Sequence, residues 1–208
     1  MTLADNRTVY LVDDEQGVRD ALSFLLRSRG LMVYSFANAP EVLAHLTLMQ
    51  ARHAPVRGVF LVDVRMEPMS GLLLHEALLE AGIRNPLMFL SGHGDIPMVV
   101  EALKKGAFDF LEKPCSDNSL VDRVEKALSV EAAMHDEARR HTEVQARLDS
   151  LTDREREVMT RVAAGKLNKV IADELHIAVR TVEVHRARVF SKLSVRSAAE
   201  LATVLAQN

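Results

Sequence analysis

The chain has one cysteine, Cys115, in 208 residues. A lone thiol excludes an internal disulfide and any cysteine-rich zinc site, and it fits a reducing compartment. Long apolar runs are also missing: none approaches the ~20 residues that span a bilayer, so no membrane role is expected without a partner. Met1 to Arg7 carry acidic and polar residues where a secretory signal would place its apolar core. The expected location is the cytoplasm. No internal repeat or low-complexity tract is present. What remains is the composition of an ordinary globular protein, 48% hydrophobic and 26% charged, long enough for two modest cores.

The net charge of −3 conceals a polarity along the chain. Residues 1–130 hold 13 basic and 17 acidic side chains, residues 131–150 hold 3 and 5, and residues 151–208 hold 10 and 7. Acids lie early and bases late, as in an acidic metal or phosphate site joined to a nucleic-acid-binding module; a surface accident produces the same counts.

Five short apolar runs, Thr8–Val12, Met32–Ser35, Val59–Asp63, Leu87–Leu90 and Phe108–Leu111, alternate with stretches of helical spacing. The alternation predicts an α/β domain, a doubly wound five-stranded parallel sheet with helices on both faces. A fifth helix begins near Asn118. Residues 131–150 contain no Gly or Pro and read as a connecting helix. A heptad seam through Leu120, Val124, Ala127, Glu131, Met134, Ala138, His141, Gln145 and Leu148 is broken by polar residues, which disfavours a strong coiled coil. A solvated linker helix and a dimer contact both remain open. From Leu151 the pattern is helical throughout, with Thr152, Asp153 and Glu155 forming a capped start and helices expected near 153–164, 168–175, 180–193 and 197–206. Gly165 ends the first of them.

In an open parallel sheet, ligands bind outside the carboxyl ends of the strands. Here the first strand ends in Asp13 and Asp14, the third in Asp63 and the fourth in Ser91, and the fifth runs into Lys113-Pro114. Taken singly, each has a local explanation as a helix cap or a turn residue. Together they place three carboxylates and one ammonium in one cleft. A hard divalent cation would cancel the excess negative charge, and an oxygen-only, incompletely caged site suits Mg²⁺. Asp63, central in the sheet, is the expected nucleophile, taking a phosphoryl group as an aspartyl phosphate while the cation, Lys113 and Ser91 stabilise the transferred oxygens.

The segments VDD, FLVDVRMEPMSG, MFLSGHGDIPM and KKGAFDFLEKP resemble the receiver domain of bacterial two-component response regulators, from residue 8 to about 128. The resemblance implies a flavodoxin-like strand order with Asp63 as phosphoacceptor. It also implies Mg²⁺ or Mn²⁺ on Asp13, Asp14, Asp63 and the Arg65 carbonyl, Ser91 and Lys113 at the phosphoryl group, and Ser91 with Phe110 as switch residues. His93 and Arg65 stand where this family tunes dephosphorylation. Cys115 occupies a position that is usually apolar and reads as a packing residue. One departure is Met66-Glu67-Pro68, where the family usually has Met-Pro directly. The added carboxylate is expected to slow phosphorylation or alter its metal response.

The stretch NKVIADELHIAVRTVEVHRARVFSKL has two helical patterns joined by a short turn, the form of a helix-turn-helix. On the second helix Val182, Val189, Phe190 and Leu193 share a core face. Arg180, Thr181, Val184, Ala187, Arg188 and Ser191 lie opposite, and a valine between arginines suits a DNA major groove better than packing. Arg188 suits a guanine edge or a phosphate, Val184 and Ala187 suit thymine methyls, and Thr181 and Lys192 suit phosphates. Residues 151–205 resemble the LuxR-type four-helix DNA-binding domain, which implies that Lys169, Arg180, Thr181, Val184, His185 and Arg188 lie at or near DNA. Glu183, an acid that phosphate would repel, fits such contact less well.

The sequence therefore predicts a receiver over 1–128, a helical linker over 129–150 and a small all-α helix-turn-helix domain over 151–208. The expected function is a non-enzymatic regulator phosphorylated on Asp63 by a sensor histidine kinase, so controlling homodimerisation and binding to promoter DNA. RNA polymerase is a further candidate partner. The alternative, a metal-dependent phosphohydrolase using Asp63, lacks a second acid or base to release a leaving group. A constitutive DNA-binding protein with a vestigial receiver is opposed by retention of the full set Asp13, Asp14, Asp63, Ser91 and Lys113.

Overall fold

The computed structural model describes residues 7–92 and 96–206; the expectation for His93 lies outside the described residues. Five parallel strands, β1 (Thr8–Val12), β2 (Met32–Phe36), β3 (Val59–Asp63), β4 (Leu87–Ser91) and β5 (Asp109–Glu112), form one sheet in the order β2-β1-β3-β4-β5. This is the flavodoxin-like order. The chain steps from β1 outward to β2 and then back past β1 to β3, so the order of connection reverses between β1 and β3, the point where such sheets open a crevice.

β1, β3 and β4 are buried along their whole length. The reason lies in the two-residue period of a strand, which sends alternate side chains to opposite faces. Val9, Leu11, Val59, Leu61, Met88, Leu90 and Leu111 pack under α1 (Gln16–Ser28) and the start of α5 (Asp117–Asp149). Tyr10, Val12, Phe60, Val62, Leu87 and Phe89 pack under α2 (Ala39–Ala51) and α3 (Gly71–Glu80), joined by Ala102 of α4 (Ile96–Lys104). With apolar layers on both faces, a strand must read as an unbroken apolar run. β2, at the edge, is mostly open, and Met32 and Tyr34 remain exposed.

The fifth receiver helix and the expected linker helix are a single element: α5 runs without a break from Asp117 to Asp149. Contacts divide the chain into compact units at Met134 and His135. The first unit runs beyond residue 128 because Glu131, only 5% exposed, is held by the Arg57 guanidinium at 2.6 and 3.2 Å. Leu120, Val124, Ala127 and Glu131 of the seam are buried in this unit, and Leu148 enters the core of the second. Met134, Ala138, His141 and Gln145 between them are exposed.

The second unit contains α6 (Asp153–Ala163), α7 (Asn168–Leu175), α8 (Val179–Leu193) and α9 (Ala198–Ala206). α6 starts with a reciprocal cap: Thr152 accepts from the Glu155 amide, and Glu155 accepts from the Thr152 amide. Gly165, at φ 75°, takes the left-handed conformation that stops the helix. Val158, Val162, Ile171, Leu175, Val182, Val189, Leu193 and Leu201 form the core, and a three-residue turn joins α7 to α8 with His176 left-handed at φ 53°.

Candidate functional site

The register of the sheet assembles the first site. Val12 of β1 pairs with Val62 of β3, so Asp13 and Asp63 leave the sheet side by side. Both continue the parity of the face covered by α1 and α5, as does Lys113 two residues beyond Leu111. The Lys113 ammonium accordingly reaches both carboxylates, 2.7 Å from Asp13 Oδ2 and 2.7 Å from Asp63 Oδ1. Asp13 is fully buried and Asp63 is 7% exposed. The remaining oxygens accept backbone amides: Asp13 Oδ1 from Glu15 at 2.9 Å, and Asp63 Oδ2 from Arg65 at 2.8 Å. Ser91 is buried beside them, and its carbonyl accepts the Lys113 amide at 2.7 Å.

One ammonium shared by two carboxylates leaves the site short of positive charge. Burial raises the Asp63 pKa above its usual value; Lys113 works to lower it, and Asp13 adds to the rise. For Lys113 burial acts to lower the pKa, but hydrogen bonds to Asp13 and Asp63 outweigh it and the net direction is upward. The result is a basic carboxylate next to a firmly protonated amine.

Asp14 is exposed at the edge of an open cleft of about 470 Å³, which Arg65, Met66, Glu67 and Ser70 also line. The additional acid anticipated at Glu67 therefore faces the same cleft as Asp14. Among the described residues no three acidic, histidine or cysteine side chains form a ready-made metal cage. The donor set still fits Mg²⁺. This ion keeps most of its waters and needs only a few carboxylate oxygens. Each bonded oxygen of Asp13 and Asp63 has a second lone pair.

Phe110 is half-buried and packs against the core on the α2–α4 face. Gly71 escaped the sequence reading. A Cβ there would lie 2.2 Å from the Asp63 carbonyl oxygen, so only glycine lets α3 start against the strand end that carries Asp63. The signal available was the Ser70-Gly71 pair at a helix start.

The second site is the outer side of α8 with the start of α7. Arg180, Thr181, Val184, Ala187, Arg188 and Ser191 are exposed together, and Lys169 is exposed on α7. Val184 is 43% exposed between arginines, the placement expected of a groove-facing residue. His185 is half-buried, and its Nδ1 is enclosed with no hydrogen-bond partner among the described residues. Arg186, which pattern reading passed over, donates to Asn168 Oδ1 at 3.0 Å and lies 5.2 Å over the Phe190 ring, fixing α8 against α7.

Lys192, expected at a phosphate, donates to Glu155 Oε2 at 2.7 Å and to the Ser150 carbonyl at 2.8 Å. Glu155 is 3% exposed, and its buried carboxylate is paired by this ammonium.

The family model for the response regulator receiver domain matches residues 9–125, and that for bacterial regulatory proteins of the luxR family matches residues 149–205. The chain is a response regulator. It is 45% identical over 197 residues to the C4-dicarboxylate transport transcriptional regulatory protein DctR of Rhodobacter capsulatus, covering 94% of this chain and 97% of that protein. It is 40% identical over 190 residues to the transcriptional regulatory protein FixJ of Rhizobium meliloti (strain 1021), covering 91% and 90%. Among solved structures it is similar to the response regulator StyR, with a TM-score of 0.85, 38% identity and coverage of 97% and 98%. A receiver joined to a LuxR-type helix-turn-helix domain makes this response regulator a transcriptional one. Among the described residues no helix is long and apolar enough to cross a membrane.

Proposed function

We propose that this response regulator takes a phosphoryl group onto Asp63 from a sensor histidine kinase and thereby controls its own dimerisation and its binding to promoter DNA. The observation that carries the reading is the convergence of Asp13, Asp63 and Lys113, residues from three separate strand ends, within 2.7 Å contacts. In the transfer a carboxylate oxygen of Asp63 forms a bond to phosphorus as the donor's phosphorus–nitrogen bond breaks, the electron pair leaving with the imidazole. Lys113 neutralises charge on the phosphoryl oxygens, and the Ser91 hydroxyl donates to one of them. Asp13, Asp14 and the Arg65 carbonyl would hold Mg²⁺, whose chemistry is charge neutralisation on the transferring group. Phe110, on the same face as Ser91, is the candidate to repack when Ser91 engages the phosphoryl group.

At the other site Arg180, Thr181, Val184, Ala187 and Arg188 would enter the major groove, with Lys169 and His185 at the margin. A dimer would then read half-sites ~10 bp apart. A cytoplasmic location and a role without catalytic turnover belong to this reading. The phosphohydrolase alternative gains no support from the relatives, which are transcriptional regulators.

Asp63→Asn is expected to take no label from a small acyl phosphate and to footprint promoter DNA only as weakly as unphosphorylated native protein. Footprinting by the variant as tight as that of phosphorylated native protein refutes the control step. Arg188→Ala is expected to weaken specific DNA binding ~5- to 150-fold, the ~1–3 kcal/mol of one arginine contact. A change confined to one base position in a mismatch panel marks a base contact, a uniform loss with a shallower salt dependence marks a phosphate contact, and undiminished binding removes Arg188 from the interface.

A further inference from the structure

The loop that carries the acidic pair has an unusual support. At the start of α1 the Glu15 side chain makes no capping hydrogen bond to the described residues, which leaves the β1–α1 junction to be fixed by other means. Four hydrogen bonds do so. The Asp13 amide donates to the Phe36 carbonyl at 3.3 Å, and the Glu15 amide donates to Asp13 Oδ1 at 2.9 Å. From one turn into α1, a single nitrogen of the Arg19 guanidinium, Nη1, donates to both the Asp13 carbonyl at 2.7 Å and the Asp14 carbonyl at 2.9 Å.

Two successive carbonyls held by one rigid donor fix two successive peptide planes. Those planes set the direction of the Asp14 Cα–Cβ bond. Asp13 is also held through its side chain by Lys113 and the Glu15 amide. Asp14 is exposed, and its main-chain carbonyl accepts the Arg19 guanidinium. We infer that Arg19 is a positioning residue for the cation site: it presents the Asp14 carboxylate toward the cleft that Arg65 and Glu67 also line. This rests on the reading of Asp13, Asp14 and Asp63 as Mg²⁺ ligands.

Positioning and simple charge make opposite predictions. A guanidinium acting only as a nearby positive charge repels Mg²⁺, so its removal tightens binding. A guanidinium that orients a ligand strengthens binding, and its removal weakens it by the ~10- to 100-fold typical of residues that hold ligands in place. The experiment is calorimetric titration of the unphosphorylated full-length chain with Mg²⁺, in native protein, Arg19→Gln, Arg19→Lys and Asp14→Asn, with thermal unfolding in metal-free buffer to establish that each is folded. The expected result is a Kd raised ~10-fold or more in Arg19→Gln and a smaller rise in Arg19→Lys, which restores a charged donor but not the planar, pre-oriented guanidinium. The rate of labelling of Asp63 by an acyl phosphate should return to native at saturating Mg²⁺ in Arg19→Gln, because the lesion lies in binding. An unchanged or lowered Kd in folded Arg19→Gln overturns the Arg19 assignment alone, as does a labelling defect that excess Mg²⁺ fails to repair. Failure of the native chain to bind Mg²⁺, or full binding by Asp14→Asn, overturns the metal-site reading and the inference with it.

Discussion

Lys113→Met is expected to lose phosphorylation of Asp63 by ~10²- to 10³-fold, the loss typical of removing one preorganised donor from a site of charge development. The argument starts from burial. Asp13 and Asp63 are both enclosed, and the Lys113 ammonium bridges them at 2.7 Å on each side. Methionine keeps the volume and removes the charge, so two neighbouring carboxylates face each other with only backbone amides as donors. The transferring phosphoryl group then meets a more negative rim and lacks one of its two protein donors, Ser91 being the other. Extra Mg²⁺ should restore part of the rate, since a divalent cation can replace the missing charge but not the position of Nζ. The measurement is the time course of aspartyl phosphate formation by intact-protein mass spectrometry with an acyl phosphate donor. Labelling at the native rate would show that Lys113 only supports the fold.

Lys192→Met is expected to destabilise the helix-turn-helix unit by about 2–4 kcal/mol. Removing one partner of a buried pair costs ~3–5 kcal/mol because it strands a charge, and the lower range reflects the solvent that already reaches Lys192. In a domain of this size that corresponds to a fall in Tm of roughly 8–30 °C. Hydrogen exchange of the α6 and α8 amides in the full-length chain would report the loss locally. The pair also makes stability depend on pH. The Glu155 pKa is lowered from 4.5 to about 2, first by the Lys192 ammonium and then by the Thr152 amide. A group depressed in the folded state contributes its full stabilisation above its unfolded pKa, so the contribution is whole above pH ~4.5 and is lost as pH falls toward 2. In Lys192→Met that acid-dependent loss should shrink. Folded Lys192→Met, studied at low temperature, should keep the native salt dependence of DNA binding. A salt slope smaller by about one would put Lys192 at a phosphate after all.

Sequence pattern revealed the receiver sheet well because strands covered on both faces can only be written as apolar runs, and the runs at Tyr10, Phe60 and Phe89 were such strands. It revealed the acidic rim because all its members end strands. It failed where a partner lies far away in sequence and no period links the two. Thr152 and Glu155 were readable as a helix start, but nothing near them points to Lys192, 37 residues later. Glu131 looked like one more acid of a solvated linker because Arg57 lies 74 residues before it. Arg19 lacked a signal for another reason: its contacts are to main-chain carbonyls, which every residue has. Val184 was legible for the opposite reason, as an apolar side chain on the wrong side of an amphipathic helix.

The missing side chain at residue 71 couples two parts of the receiver mechanically. With the first turn of α3 seated on the Asp63 carbonyl, the strand end cannot shift without carrying that helix along. One turn further, Glu76 of the same helix grips Lys105 just beyond α4 at 2.6 Å. A sub-ångström displacement of the Asp63 backbone thus has a lever arm, running through α3 and the Glu76–Lys105 ion pair to the residue that follows α4.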